Sequence, residues 1–195
     1  MTKEESIVAK ALKCIDEIYP SENTLNETFY PTEAFIDEMV RWVIDVAPVH
    51  ELTERKTTTG SASVSVTGGV GRDAVPEDFG KLVYFKAEGW QRPVFGVITE
   101  DDPRYLQQSN KVLRGNPSRP IVAVVEGGKY FEWYTAEETE YTCEYVPYAI
   151  DYIPTRLEDL ASWKLAEIVL MSMSDAQNAA VCTARVNELL QMLQL

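Results

Sequence analysis

A chain of 195 residues, 45% hydrophobic and 25% charged, suits one domain, or one domain with a projecting subregion, and is too apolar for wholesale disorder. Its net charge of -13 argues against binding DNA or anionic lipid, because no Lys/Arg run gathers the few cations. No apolar stretch approaches the roughly 20 residues of a membrane span, and Met1 to Glu5 is not read as the start of a secretory leader.

The first predicted element is a helix over Lys3 to Tyr19, with Ile7, Ala11, Ile15 and Ile18 on one face. Thr2 is placed to cap it with Glu5 as the reciprocal partner, and Pro20 ends it. Residues 21–30 are polar and loop-like. Thr32 is a second cap candidate, followed by a stripe of Phe35, Met39, Trp42, Val43 and Val46 that stops at Pro48.

Residues 53–74 form the odd region, rich in Thr, Ser and Gly, with Val64 and Val66 alternating. It reads as an exposed β-arm, or as a loop that orders only against a partner. Gly68-Gly69-Val70-Gly71 lacks the Gly-Lys-Ser/Thr ending of a phosphate loop and has no apolar strand feeding it, so nucleotide binding is not expected.

From 75 to 150 aromatic and β-branched runs alternate with Gly and Pro, the signature of a β-meander. A strand over Lys81 to Ala87 is broken by Gly89-Trp90, with Val94 to Thr99 as its expected partner. An acidic turn at Asp101-Asp102-Pro103 caps a short helix. Strands over Ile121 to Glu126 and Lys129 to Thr135 meet at Gly127-Gly128, and Tyr141 to Tyr148 alternates into a further strand. Thr155, with Glu158 at capping-box distance, opens a helix continuing to about Met173. Ser174 restarts a last one through Leu189, Leu190 and Leu193, and the chain ends more apolar than a free terminus needs.

The expected fold class is therefore α+β in one domain, 1–195. Helix pairs in 1–50 and 154–195 pack as a bundle, and an antiparallel β-meander at 75–150 and a protruding arm at 53–74 are inserted between them.

No chemical signature emerges. The single histidine, His50, has no nucleophile motif to serve and reads as a surface or helix-end residue. Acidic pairs such as Glu77/Asp78 and Asp101/Asp102 are common by chance in a chain with 31 acidic residues. Cys14, Cys143 and Cys182 form no C-x-x-C pair and read as reduced thiols of a cytoplasmic protein. The Glu-rich turn at 136–140 lacks the spacing and Gly of a calcium loop. No catalytic residue, cofactor or metal is expected.

The aromatics between Tyr84 and Tyr148 are too many for one core layer, since alternate residues of a strand face opposite sides. Packing on both sides within one chain is one reading of the surplus, and a second interface is the other. A protein–protein surface fits better with the arm and the apolar C-terminus. The expected oligomer or partner interface comprises Thr58, Val64, Val66, Val70, Trp90 and Tyr105, together with Trp133, Leu189, Met192 and Leu195.

Four stretches carry a family resemblance. They are Val75-Pro76-Glu77-Asp78-Phe79-Gly80-Lys81-Leu82-Val83, Gly89-Trp90-Gln91-Arg92-Pro93-Val94, Tyr105-Leu106-Gln107-Gln108-Ser109-Asn110, and Tyr152-Ile153-Pro154 through Leu160. The chain resembles the ring proteins of the head–tail connector in short-tailed phages, most closely those of crAss-like gut bacteriophages. The resemblance spans most of the chain beyond the first helix and rests on packing motifs. It implies a virion neck or tail protein made in the host bacterial cytoplasm. Such a protein would form a ring of roughly twelve copies that docks under the portal protein and offers a platform to the next ring or tail protein. DNA would pass through the channel without specific binding, and the family has no catalytic residues to carry over. A tail-hub component or an assembly chaperone, acting as an interaction module, is the alternative.

Overall fold

The computed structural model describes residues 2–18, 31–60, 65–134 and 140–193. The fold is mixed α+β, in two compact units: residues 1–54 together with 148–195, and residues 55–147.

The first unit is helical. Helix α1 (Lys3–Ile18) begins on the expected capping box: the Glu5 amide donates to Thr2 Oγ1 at 3.1 Å, and the Thr2 amide donates back to Glu5 Oε2 at 2.7 Å. Ile7, Ala11, Cys14 and Ile15 form its buried stripe. Thr32 is not a cap. It lies inside a 3-10 turn (Thr32–Phe35), buried, and no side chain caps that turn. The turn rotates α2 (Ile36–Val46) from the expected face, so Ile36, Met39, Val40, Val43 and Ile44 are buried while Val46 is exposed.

A second 3-10 turn (Thr155–Leu157) likewise replaces the expected Thr155 cap before α4 (Glu158–Ser172). Helix α4 packs against α1, α2 and α5 (Ala176–Leu193), which explains why it is apolar almost all round. Lys10 of α1 reaches Glu158 at 3.0 Å and Asp159 at 3.1 Å across this packing. The Ser162 hydroxyl turns back to the Glu158 carbonyl at 2.7 Å, so no polar group of that side chain is stranded.

Helix α4 ends in a Schellman turn, with the Ser174 amide on Met171 O at 3.0 Å and the Asp175 amide on Leu170 O at 2.9 Å. That geometry forces Ser174 to φ 62, a left-handed conformation that a Cβ disfavours. Ser174→Gly is expected to raise unfolding stability by about 1 kcal/mol, read from the midpoint of a thermal or urea melt. An unchanged or lowered midpoint would show that the turn carries no strain.

The second unit holds two sheets. In one, β8 (Tyr141–Pro147) lies between β1 (Lys56–Thr59) and β4 (Phe79–Ala87), all antiparallel. The other runs β2 (Ser65–Thr67), β3 (Val70–Ala74), β7 (Tyr130–Tyr134), β6 (Val122–Val125), β5 (Ile98–Thr99). Its pairings are antiparallel except for β5 with β6, which is parallel.

Three expectations change here. The stretch read as an exposed arm or partner-dependent loop is strand-paired within its own chain at 56–59 and 70–74. Strand β4 takes β8 as its main partner, while Val94 contributes a single bridge to Phe85. The β-region is also not a simple antiparallel meander, because a crossover through 100–121 makes β5 and β6 parallel.

Both sheets contribute to one aromatic core: Phe85, Phe131, Trp133, Tyr141 and Tyr145, with Leu82, Val122 and Cys143. The opposite face of the larger sheet carries Ile98, Ala123, Val125 and Tyr134, with Tyr105 packed against them. The surplus of aromatics is thus largely absorbed by packing on two faces of one sheet.

Asp78 fastens the smaller sheet, accepting from the Tyr145 hydroxyl at 2.8 Å and pairing with Lys56. The Lys56 ammonium, helped by the Tyr145 hydroxyl and opposed by partial burial, holds the Asp78 carboxyl below its ordinary value of 3.8. A carboxylate whose pKa is depressed by folding stabilises fully above its unfolded pKa and loses that contribution as pH falls through the folded one. Asp78→Asn is therefore expected to lower the urea midpoint at neutral pH, by a margin that closes below the carboxylate range. A margin independent of pH would show that charge plays no part.

Candidate interaction surface

The structure divides the ten expected interface residues. Trp133 and Trp90 are core: Trp133 is wholly buried, and Trp90 packs 5.9 Å from the Phe85 ring. Val66 and Val70 are half-buried against the two cores of the β-unit. The hydroxyl of Tyr105 donates to Glu132 of β7 at 3.5 Å. Tyr134 shares that carboxylate at 3.2 Å, and burial with the nearby charge pushes its phenol well above the usual range. Thr58 and Leu189 are half-buried, and Met192 is exposed. Val64 and Leu195 lie outside the described residues.

Within the β-unit, Trp90 and Trp133 belong to the core and not to its surface. The two tryptophans fail as interface residues because Trp133 on β7 and Trp90 on the turn after β4 both sit in the aromatic core, where their area is already removed from water.

The feature that sequence reasoning missed is the crossover between β5 and β6. It opens with α3 (Pro103–Leu106), capped by Asp102, whose carboxylate accepts from the Arg104 amide at 2.8 Å. The Arg104 guanidinium beside it, together with that amide, lowers the Asp102 carboxyl to about 2.

Buried Gln108 then holds the loop shut. Its amide donates to Arg104 O at 2.7 Å, and its oxygen accepts from the Gly115 amide at 2.7 Å. Asn110 and Asn116 close two further turns, taking the Val112 amide at 2.9 Å and the Ser118 and Arg119 amides at 3.0 Å. The guanidinium of Arg92 donates to Ser118 O. A loop ordered by so many internal bonds nevertheless presents Leu106, Val112 and Leu113 to solvent, at 75%, 87% and 61% exposure. Aliphatic side chains held out on a fixed backbone have little freedom left to lose on binding.

The helical unit has its own exposed apolar residues, Met171, Met173, Val181 and Met192. Helix α5 buries only Ala179, Cys182 and Val186 along its length, a narrow seam on α4.

Little chemistry collects elsewhere. An open cleft of about 580 Å³ in the β-unit is lined by Tyr84, Lys86, Glu88, Trp90 and Tyr141, with neither histidine nor cysteine in its described lining. His50 is exposed, 3.2 Å from Glu51, which also meets the Arg156 guanidinium. The three cysteines are buried free thiols. Desolvation raises Cys14 to about 11 and Cys143 and Cys182 to about 12, so the thiolate is suppressed. Among the described residues no cluster of His, Cys, Asp or Glu could hold a metal ion, and no helix is long and apolar enough to cross a membrane.

Comparison with protein-family models and with curated proteins returned no match.

Proposed function

We propose that this chain is a virion structural protein that forms one ring of a phage head-to-tail connector, below the portal and around the DNA channel. The observation that carries an assembly role is the stapled crossover with Leu106, Val112 and Leu113 held in solvent. Three exposed aliphatics gathered on one ordered loop support a contact surface for another protein. The resemblance to connector rings of short-tailed, crAss-like phages supplies the kind of assembly.

In this reading the N- and C-terminal helix pairs act as a bundle carrying the inserted β-region. Self-association gives the ring, and the portal and the next tail protein are the other partners. The chain's net charge of -13 suits a channel wall past which DNA must slide, because like charges keep the backbone from adhering.

The test is the native mass of the purified protein, alone and mixed with the portal protein of the same genome. Addition of a fixed multiple of 22.0 kDa to the portal ring is the expected result. A portal mass that does not change would remove the connector assignment.

A further inference from the structure

We propose that the open cleft of the β-unit is a binding site for a neutral saccharide. Its walls all belong to residues 55–147, and nothing in it depends on the connector reading.

The cleft lies on the face of the smaller sheet turned away from the aromatic core. Phe85 and Cys143 point into that core, so strand alternation turns Tyr84, Lys86 and Thr142 to the other side. The register sets Thr59, Thr142 and Lys86 in one row across β1, β8 and β4. Tyr84 stands two residues back on β4, Glu140 precedes β8, and the Glu88-Gly89-Trp90 turn supplies the rest of the wall. The volume of about 580 Å³ falls within the range of small-ligand sites, roughly 300–1,000 Å³.

The polar groups that line this cleft are uncommitted. Elsewhere in the β-unit, carboxylates are engaged by tyrosines: Asp78 by Tyr145, Glu132 by Tyr105 and Tyr134, and Asp73 by Tyr141 at 2.9 Å. In the cleft, Lys86, Glu88 and Glu140 make no side-chain hydrogen bond or ion pair with any described residue. Neither do the hydroxyls of Tyr84, Thr59 and Thr142. Donors and acceptors of both kinds thus line a single concavity without satisfying one another. Trp90 in the same wall is 3% exposed, and its indole N–H has no acceptor among the described residues.

That inventory selects the ligand. Two carboxylates beside one ammonium oppose an anion such as a phosphate, while Lys86 opposes a cation. A saccharide carries no charge, and each of its hydroxyls both donates and accepts, so one ligand can serve the ammonium, the carboxylates and the hydroxyls together. Sugar rings also present C–H faces, which suit the negative face of an aromatic ring. Tyr84 offers such a face, and Phe95 extends it: the two rings lie 6.4 Å apart, and Phe95 is 69% exposed. A protein partner is the poorer occupant, because the lining is mostly polar and leaves little apolar area to bury.

The test is an array of neutral, acidic and amino-sugar glycans probed with the full chain, on which the neutral glycans are expected to bind. The best of them is then titrated into nitrogen-labelled protein. The indole N–H resonance of Trp90, assigned through Trp90→Phe, should move while those of Trp42 and Trp163 stay in place. Lys86→Ala and Glu88→Ala should each raise the dissociation constant by about tenfold or more, as loss of a charge-assisted hydrogen bond does. Tyr84→Ala should weaken binding more than Tyr84→Phe, which keeps the ring. Melting curves check that each variant folds, and if Tyr84→Ala does not, the two charge variants still decide. No neutral glycan bound, acidic glycans bound in preference, or an affinity unchanged in folded Lys86→Ala and Glu88→Ala would each overturn the inference.

Discussion

Gly71→Ala is expected to destabilise the β-unit by about 3 kcal/mol or more, at the upper end of what overpacking a core costs. Gly71 on β3 stands directly opposite Trp133 on β7, and the indole lies across the space a side chain would fill. A Cβ at Gly71 would come within 2.0 Å of Trp133 Cε2 and 2.3 Å of Nε1. The indole cannot swing aside cheaply, because it is wholly buried with Phe85 5.6 Å and Tyr141 5.1 Å from its ring. Either β3 leaves β7 or Trp133 leaves the core. Urea unfolding followed by tryptophan fluorescence measures the loss, with Gly96→Ala, where a Cβ meets nothing within 4 Å, as the neutral control. Combining Gly71→Ala with Trp133→Leu should cost less than the sum of the two, since the second change opens the space the first one needs. A Gly71→Ala midpoint equal to that of the control would mean that the indole does not occupy this position.

This pairing also explains the Gly-rich sequence that resembles a phosphate loop. Gly68 and Gly69 take φ values of 62 and 76 to turn β2 into β3, and Gly71 makes room for the indole. The pattern was visible in the sequence, but its reason was not, because Trp133 lies 62 residues away in the chain.

The same limit runs through the rest. Local signals were legible: the Thr2/Glu5 box, the α1 stripe, the Asp102 cap and the turn at Gly127-Gly128 all act within a few residues. Thr32 and Thr155 carry the same kind of signal, yet each lies in a 3-10 turn without a side-chain cap, which spacing alone does not foretell. The parallel pairing of β5 with β6 is non-local and leaves no periodicity to read. The exposed face of the crossover loop was hidden for another reason. Leu106, Val112 and Leu113 are scattered among polar residues, and only their common exposure groups them. One trace was available beforehand, the absence of any acid from Pro103 to Val125 in so acidic a chain.

Phe85→Ala should be the most damaging single truncation in the β-unit, costing about 4 kcal/mol. The ring is wholly buried on β4 and touches four others: Tyr141 stacked at 4.8 Å, Trp133 at 5.6 Å, Phe131 at 5.8 Å and Trp90 at 5.9 Å. Its removal leaves a cavity walled by large planar groups, which relax into the space poorly, and forfeits several ring pairings worth about 0.5–1.5 kcal/mol each. The backbone at Phe85 also exchanges both hydrogen bonds with Val94, each 2.8 Å, so any shift of β4 loosens the turn that carries Trp90. Phe85→Leu keeps most of the volume and should cost roughly half as much. Near-ultraviolet circular dichroism and the urea midpoint report the two effects together: the asymmetric aromatic signal should collapse in the alanine variant and weaken in the leucine one. If these aromatics were instead an exposed docking face, as the sequence suggested for Trp90 and Trp133, both variants would keep the wild-type midpoint and lose only assembly. The core and interface readings of the same residues are separated by that one titration.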